Sequence, residues 1–301
     1  QSQKQAKLVG QEGKPESYYF PPQHNNVGNN FPYTFMGFEP GTTKAQVRKC
    51  LEDWNKGDNG ILDLSKAYRL KPGTGWLIDP CILHAPGSLC TYEPQKASDV
   101  FAMYESLVNE AVIPEELLWN GTPKESIGDY EALLDVIDWD LNLDTHLQQH
   151  RYMAPKPVRD PDAMKAEGYI QNWICYKSDA FSATELTVMP GRTVTVRDSA
   201  AYGIIMMQGR GTMGVWEIET PSLIRYGQLT NDEFFISEQA AKDGVTIVNK
   251  STTDPIVMLK HYDRVRGRLV DDGNAVFRSL TTDPIVMLKH YGPGNPDLVL
   301  G

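Results

Sequence analysis

Of the six histidines in the chain, His84 has the setting most suited to chemistry. It closes the stretch Gly73-Thr74-Gly75-Trp76-Leu77-Ile78-Asp79-Pro80-Cys81-Ile82-Leu83-His84 and is followed by Ala85-Pro86-Gly87. Gly and Pro at these spacings describe a turn between short apolar strands. An imidazole can carry a proton or bind a metal, so a turn that presents one is a candidate site. Far upstream, Gly13-Lys14-Pro15-Glu16 leads into the aromatic run Ser17-Tyr18-Tyr19-Phe20. Taken alone, Glu16 reads as a strand carboxylate and Lys14 as a surface lysine. His24 lies in a polar loop with Asn25, Asn26, Asn29 and Asn30. His146 and His150 have the i,i+4 spacing of one helix face, yet no acidic motif beside them marks a metal site. His261 and His290 belong to a repeated segment and carry no signal of their own.

The His84 stretch resembles the second sequence motif of cupins, in which a tight turn points the imidazole into a β-barrel. Asp79 and Cys81 stand where that motif has Pro and Gly. The order Phe38-Glu39-Pro40-Gly41, Leu51, Gly57-Asp58, Leu70-Lys71-Pro72-Gly73, His84-Ala85, Tyr92-Glu93-Pro94-Gln95 and Ser98-Asp99 resembles type I phosphomannose isomerases over roughly residues 10–105. The resemblance implies a divalent metal, zinc first and iron or manganese as alternatives, with Glu16 and His84 as ligands and Lys14 facing the sugar. That family's other two ligands, a Gln-x-His or His-x-His pair, fall at or before Gln1. The resemblance thus leaves the metal either completed by residues outside this sequence or absent from this chain. The chain starts without Met and reads as processed or as part of a longer one.

The implied reaction is aldose–ketose isomerisation of a sugar or sugar phosphate. A metal polarises the substrate oxygens and a base moves a proton between adjacent carbons. Lys14 and Glu93 are the catalytic candidates, with Asp99 behind them. Tyr18, Lys71 and Gln95 are the substrate-binding candidates. Lys66 and Arg69, with Lys71, could meet a phosphate. Met103 departs from the family, which often has Arg in that slot, and this favours an unphosphorylated sugar or no catalysis. Two other classes stay open: a non-catalytic bicupin that binds carbohydrate or serves in assembly, and an iron-dependent cupin oxygenase, because the same His/Glu shell accepts Fe(II).

The elements that must hold these residues are read from pattern. The expected fold is all-β, two cupin jelly-roll barrels with a short helical connecting segment. The expected boundaries are residues 1–118 for the metal-type barrel, 119–168 for the helical and linker segment, and 169–301 for a metal-free barrel. A helix is expected over residues 43–55, capped by Thr43 and ended at Gly57. Residues 129–139 read as one acidic amphipathic helix and the proline-rich 154–161 as a linker. In the second barrel the metal-ligand slots fall at Arg197, Ser199, Gly203 or Ile204, and Val245. That barrel is therefore expected to be structural or to mediate assembly, with a homo-oligomer as the product. The polar loop around Tyr226–Glu233 has no reading. Residues 252–262 and 281–291 are the same eleven residues, TTDPIVMLKHY, and only one copy can fill a given strand slot.

Composition narrows the partners. The chain has 301 residues, 39 acids and 29 bases, and a net charge of −10, which argues against phosphate-backbone binding and so against nucleic acid. No apolar run of membrane-spanning length occurs. The four cysteines show no CxxC pairing, which fits free thiols in a cytoplasmic protein.

Overall fold

The computed structural model describes residues 2–25, 28, 31–85, 87–96, 98, 100–220 and 230–263, together with the backbone of the short strands at 265–266, 278–279 and 289–291. Asp99, Asn26, Asn29, Asn30, most of the loop after residue 220, and the insertion between the repeats lie largely or wholly outside the described residues.

Two β-rich halves are built on facing sheets. In the N-terminal half, a five-stranded antiparallel sheet runs in the order Lys289–Tyr291, Thr91–Glu93, Glu16–Tyr19, Gly75–Ile78, Tyr152–Met153. A three-stranded sheet faces it, ordered Ser65–Arg69, Tyr33–Phe38, His84–Ala85. Tyr18, Phe20, Met36, Trp76, Ile78 and Ile82 are buried together in this half. In the C-terminal half, six strands are ordered Lys156–Pro157, Tyr169–Cys175, Phe181–Val188, Ile256–Asp263, Tyr202–Gln208, Glu233–Ile236. Four more, Thr193–Val196, Val245–Asn249, Arg210–Met213 and Trp216–Glu219, make the second sheet. The β-rich class holds; among the described residues each half is a pair of sheets and no closed barrel is found.

The first repeat copy fills the central slot of the six-stranded sheet, between Phe181–Val188 and Tyr202–Gln208. The second copy is described only at Lys289–Tyr291, whose backbone pairs with Thr91–Glu93.

The helical segments follow local chemistry. Lys44–Glu52 is capped by a reciprocal box in which the Thr43 hydroxyl accepts from the Gln46 N–H and the Gln46 side chain returns to Thr43 N at 2.9 Å. Its Val47 and Leu51 pack with Trp54, Leu133, Leu134 and Ile137. The single helix expected over 129–139 is two, Tyr130–Leu134 and Trp139–Asn142. Asp138 causes the break. Its carboxylate accepts from Leu141 N at 3.0 Å and opens a new helix. The proline-rich stretch is likewise more than a linker. Lys156–Pro157 adds an edge strand on Trp173 and Asn172, and Pro161–Glu167 forms a helix capped by Asp160.

The halves meet through Tyr19, Leu77, Tyr92, Met153, Ile174, Cys175, Ile205, Met207, Val257 and Leu259. A bulge between Trp173 and Cys175 turns both Ile174 and Cys175 toward this seam. Gly75 is required there: a Cβ on it would stand 2.6 Å from the Ile174 carbonyl oxygen. Tyr19 donates its hydroxyl to Glu185 across the seam at 2.8 Å. All four cysteines are free thiols, and no helix among the described residues is long and apolar enough to cross a membrane.

Glu105, half-buried, gives the fold a pH dependence. Burial, and then the charge of Asp58, pushes its carboxyl up to about 7. The folded chain therefore holds a proton that the unfolded chain releases between the ordinary value of 4.5 and about 7, so this group's contribution falls as pH rises through that window. Glu105→Gln should raise the melting temperature at pH 8 and leave it unchanged at pH 4.5. An equal shift at both pH values would contradict the assignment.

Candidate active site

Strand alternation places the site. In Glu16–Tyr19, every second side chain shares a face, so Glu16 and Tyr18 look one way while Ser17 and Tyr19 look toward the other half. Glu16 pairs with Ile78 on one side and makes a backbone bridge to Gln95 on the other. Ser17 N also donates to the Pro94 carbonyl at 3.0 Å. Thr91–Glu93 is thereby held beside the strand, and Glu16, Glu93 and Gln95 are all buried.

His84 arrives from the opposite sheet, where His84–Ala85 pairs with Met36 and Phe35. The preceding turn contains Cys81 at φ +73°, a left-handed conformation that suits glycine. Cys81 thus keeps the turn geometry at the position where the sequence motif has Gly. The His84 Nδ1 lies 2.8 Å from the Ile82 carbonyl oxygen. A carbonyl only accepts, so Nδ1 carries a hydrogen, and Nε2 is the ring nitrogen turned toward Glu16.

That Nε2 stands 3.9 Å from Glu16 Oε2. The gap is too long for a direct hydrogen bond. Two donors of a tetrahedral zinc, each bonded at about 2.0–2.1 Å, stand about 3.3–3.4 Å apart, so the pair would close by about 0.5 Å to share a cation. Lys14 Nζ is 3.4 Å from Glu16 Oε1, and the Tyr18 ring meets the His84 ring edge-on at 5.9 Å. Burial by itself would push the Glu16 carboxyl up, but its hydrogen bond with Glu93 and the neighbouring His84 and Lys14 outweigh burial and hold it below the usual carboxylate range. The site therefore brings together the Glu16 carboxylate, the His84 imidazole, the Glu93 carboxyl and the Lys14 ammonium. These residues fit a divalent cation as two of its donors. No group of three or more His, Cys, Asp or Glu arranged to hold a metal occurs among the described residues.

Of the sequence-derived candidates, Lys14, Glu16, Tyr18, His84 and Glu93 come together, and Gln95 is bridged to Glu16 through the backbone. Lys71 is exposed in a turn, where its carbonyl accepts from the Thr74 hydroxyl. Lys66 donates to the Asp144 carbonyl, and the Arg69 guanidinium lies over the Phe31 ring. Met103 packs against the helical core. His24 is exposed. The His146 and His150 rings are 6.2 Å apart, and Asp144, which pattern reading missed, takes His150 Nδ1 at 2.5 Å. Pattern reading also missed Asn142, which braces the His84 turn. Its sequence signal was weak: one more polar residue in a stretch that also holds Asp138, Asp140 and Asp144.

No protein-family model matches the chain, and no curated protein matches it by sequence. Solved structures do. A protein of Archaeoglobus fulgidus assigned as a mannosephosphate isomerase superposes with a TM-score of 0.54 at 12% identity, over 88% of this chain and 66% of that one. This chain thus spans just under two thirds of that protein's length. A phosphomannose isomerase variant from Salmonella typhimurium gives 0.47 at 10% identity, over 84% and 68%. The oxalate decarboxylase of Lactobacillus farciminis gives 0.43 at 14%, over 84% and 71%. The structural neighbours of this chain are thus phosphomannose isomerases and other cupin proteins, and at these identities what the superposition establishes is the fold.

Proposed function

We propose that this chain is a metal-dependent sugar isomerase-like bicupin, acting on an aldose or aldose phosphate. The observation that carries the reading is the 3.9 Å approach of Glu16 Oε2 and His84 Nε2, one from each of two facing sheets. A divalent cation held by these two groups would supply Lewis-acid polarisation of adjacent sugar oxygens. The chain's own groups do the rest. Glu93, as the carboxylate, takes the proton from one sugar carbon and returns it to the adjacent one. The Lys14 ammonium faces the oxygen on which negative charge develops. The buried Tyr18 ring, edge-on to His84, stands beside the pair, and Gln95, bridged to Glu16 through the backbone, is the polar group proposed to meet the sugar. The domain reading, residues 1–118 for the site and 169–301 for the metal-free partner, belongs to the same proposal.

A second reading is favoured by the donor count. Two protein ligands bind a cation more weakly than the usual three or four, which suits a carbohydrate binder without turnover. Incubating the chain with zinc, manganese or cobalt and a panel of aldoses and aldose 6-phosphates in D2O separates the two. The isomerase reading expects ketose formation with deuterium entering at the carbon next to the carbonyl. Bound cation and bound sugar with no exchange on any member of the panel would establish the binder instead.

A further inference from the structure

We propose that Asn142 is a positioning residue for His84, so that helix Trp139–Asn142 belongs to the functional site. The inference rests on reading Glu16 and His84 as a cation-binding pair. Asn142 is fully buried. Its amide oxygen accepts from Leu83 N at 2.8 Å, and its amide nitrogen donates to the Cys81 carbonyl at 2.8 Å and the Asp138 carbonyl at 2.6 Å. The clamp therefore grips the backbone on both sides of Ile82. The Ile82 carbonyl is the group that receives His84 Nδ1 and so fixes which ring nitrogen faces Glu16.

Three further contacts support the assignment. Cys81 holds a left-handed backbone without being glycine, a conformation that persists only when its surroundings enforce it. Asp138 N donates to the same Cys81 carbonyl at 3.2 Å. The helix is locked to the strand beside His84. Gly37 N donates to the Leu83 carbonyl at 2.8 Å, and a Cβ on Gly37 would lie 2.7 Å from the Asn142 carbonyl oxygen. The side chain must be an amide, because the position uses a donor and an acceptor at once. Aspartate accepts only, and leucine does neither.

The test uses the full chain, Asn142→Asp, and Asn142→Asp combined with Cys81→Gly. Two readouts are taken: cobalt(II) titration followed by visible absorption, and long-range 15N–1H spectra that report the His84 tautomer. The wild type should show a single tautomer with the hydrogen on Nδ1. In Asn142→Asp the tautomers should mix and cobalt affinity should fall by about 10–100-fold, the usual cost of losing a group that orients a metal-binding histidine. Adding Cys81→Gly should restore the single tautomer, because glycine adopts the turn without the clamp. A wild-type tautomer retained in Asn142→Asp overturns the proposal. So does a mixture of tautomers in the wild type, whether or not the variants fold. If the wild type binds no cobalt but the tautomer still shifts, the clamp is upheld and the cation reading falls.

Discussion

Asp198→Ala should destabilise the protein by about 3–5 kcal/mol, the range for removing one partner of a buried ion pair. Asp198 Oδ2 is 2.6 Å from Lys260 Nζ, with the lysine side chain 1% exposed and the aspartate 13%. Its other oxygen accepts from the Tyr262 hydroxyl at 2.8 Å. The ammonium also lies over the Tyr202 ring, 4.2 Å from its centre. Burial pushes the Lys260 ammonium below its ordinary value, and Asp198 opposes that shift. Without the carboxylate, a buried ammonium and a buried phenol lose their acceptor. The double variant Asp198→Leu with Lys260→Met should recover most of the loss, because replacing both members with apolar groups is often neutral. Urea unfolding of the two variants measures both effects. A loss under about 1 kcal/mol for Asp198→Ala would mean that the pair is solvated, contrary to the packing described.

Glu16→Gln and His84→Ala should each abolish measurable cation binding under conditions where the wild type binds. A site with only two protein donors has no reserve: the loss of either leaves one neutral or one anionic group and whatever water supplies. Glu16→Gln preserves shape while removing charge, so it also leaves Lys14, 3.4 Å from Glu16 Oε1, without its counter-ion. Isothermal titration with zinc, checked against far-UV circular dichroism to confirm folding, reads the effect. Wild-type affinity in either variant would place the cation elsewhere.

Much of the site was legible because its signals are local. The Gly and Pro spacing around His84 described a turn, and the alternation of Glu16 and Tyr18 follows from a four-residue strand. The strands at Tyr33–Phe38 and Thr193–Val196 and the Thr43-capped helix were likewise written in short-range pattern. What pattern could not show depends on long-range contact. Asp138 looked like one more acid on an amphipathic helix, yet its capping bond splits that helix. Asn142 lies 61 residues after Cys81 in the chain and reaches it only in the fold. Asp198 sits between Arg197 and Ser199, the two slots that were inspected for histidine, and its partner is a lysine inside an apolar strand. That buried lysine was itself a signal, since an unpaired ammonium is rarely fully buried. Lys71 shows the opposite limit. Its position in the chain is close to the site turn, but the backbone turns it out into solvent.

The most direct test of the account is anomalous diffraction from crystals of the full chain soaked in zinc, recorded on both sides of the zinc absorption edge. The account predicts one strong peak within bonding distance of both Glu16 Oε2 and His84 Nε2, with Asn142 still clamped to Cys81 and Leu83. Ordered density for both side chains with no peak between them, or a peak held by other residues, would contradict it.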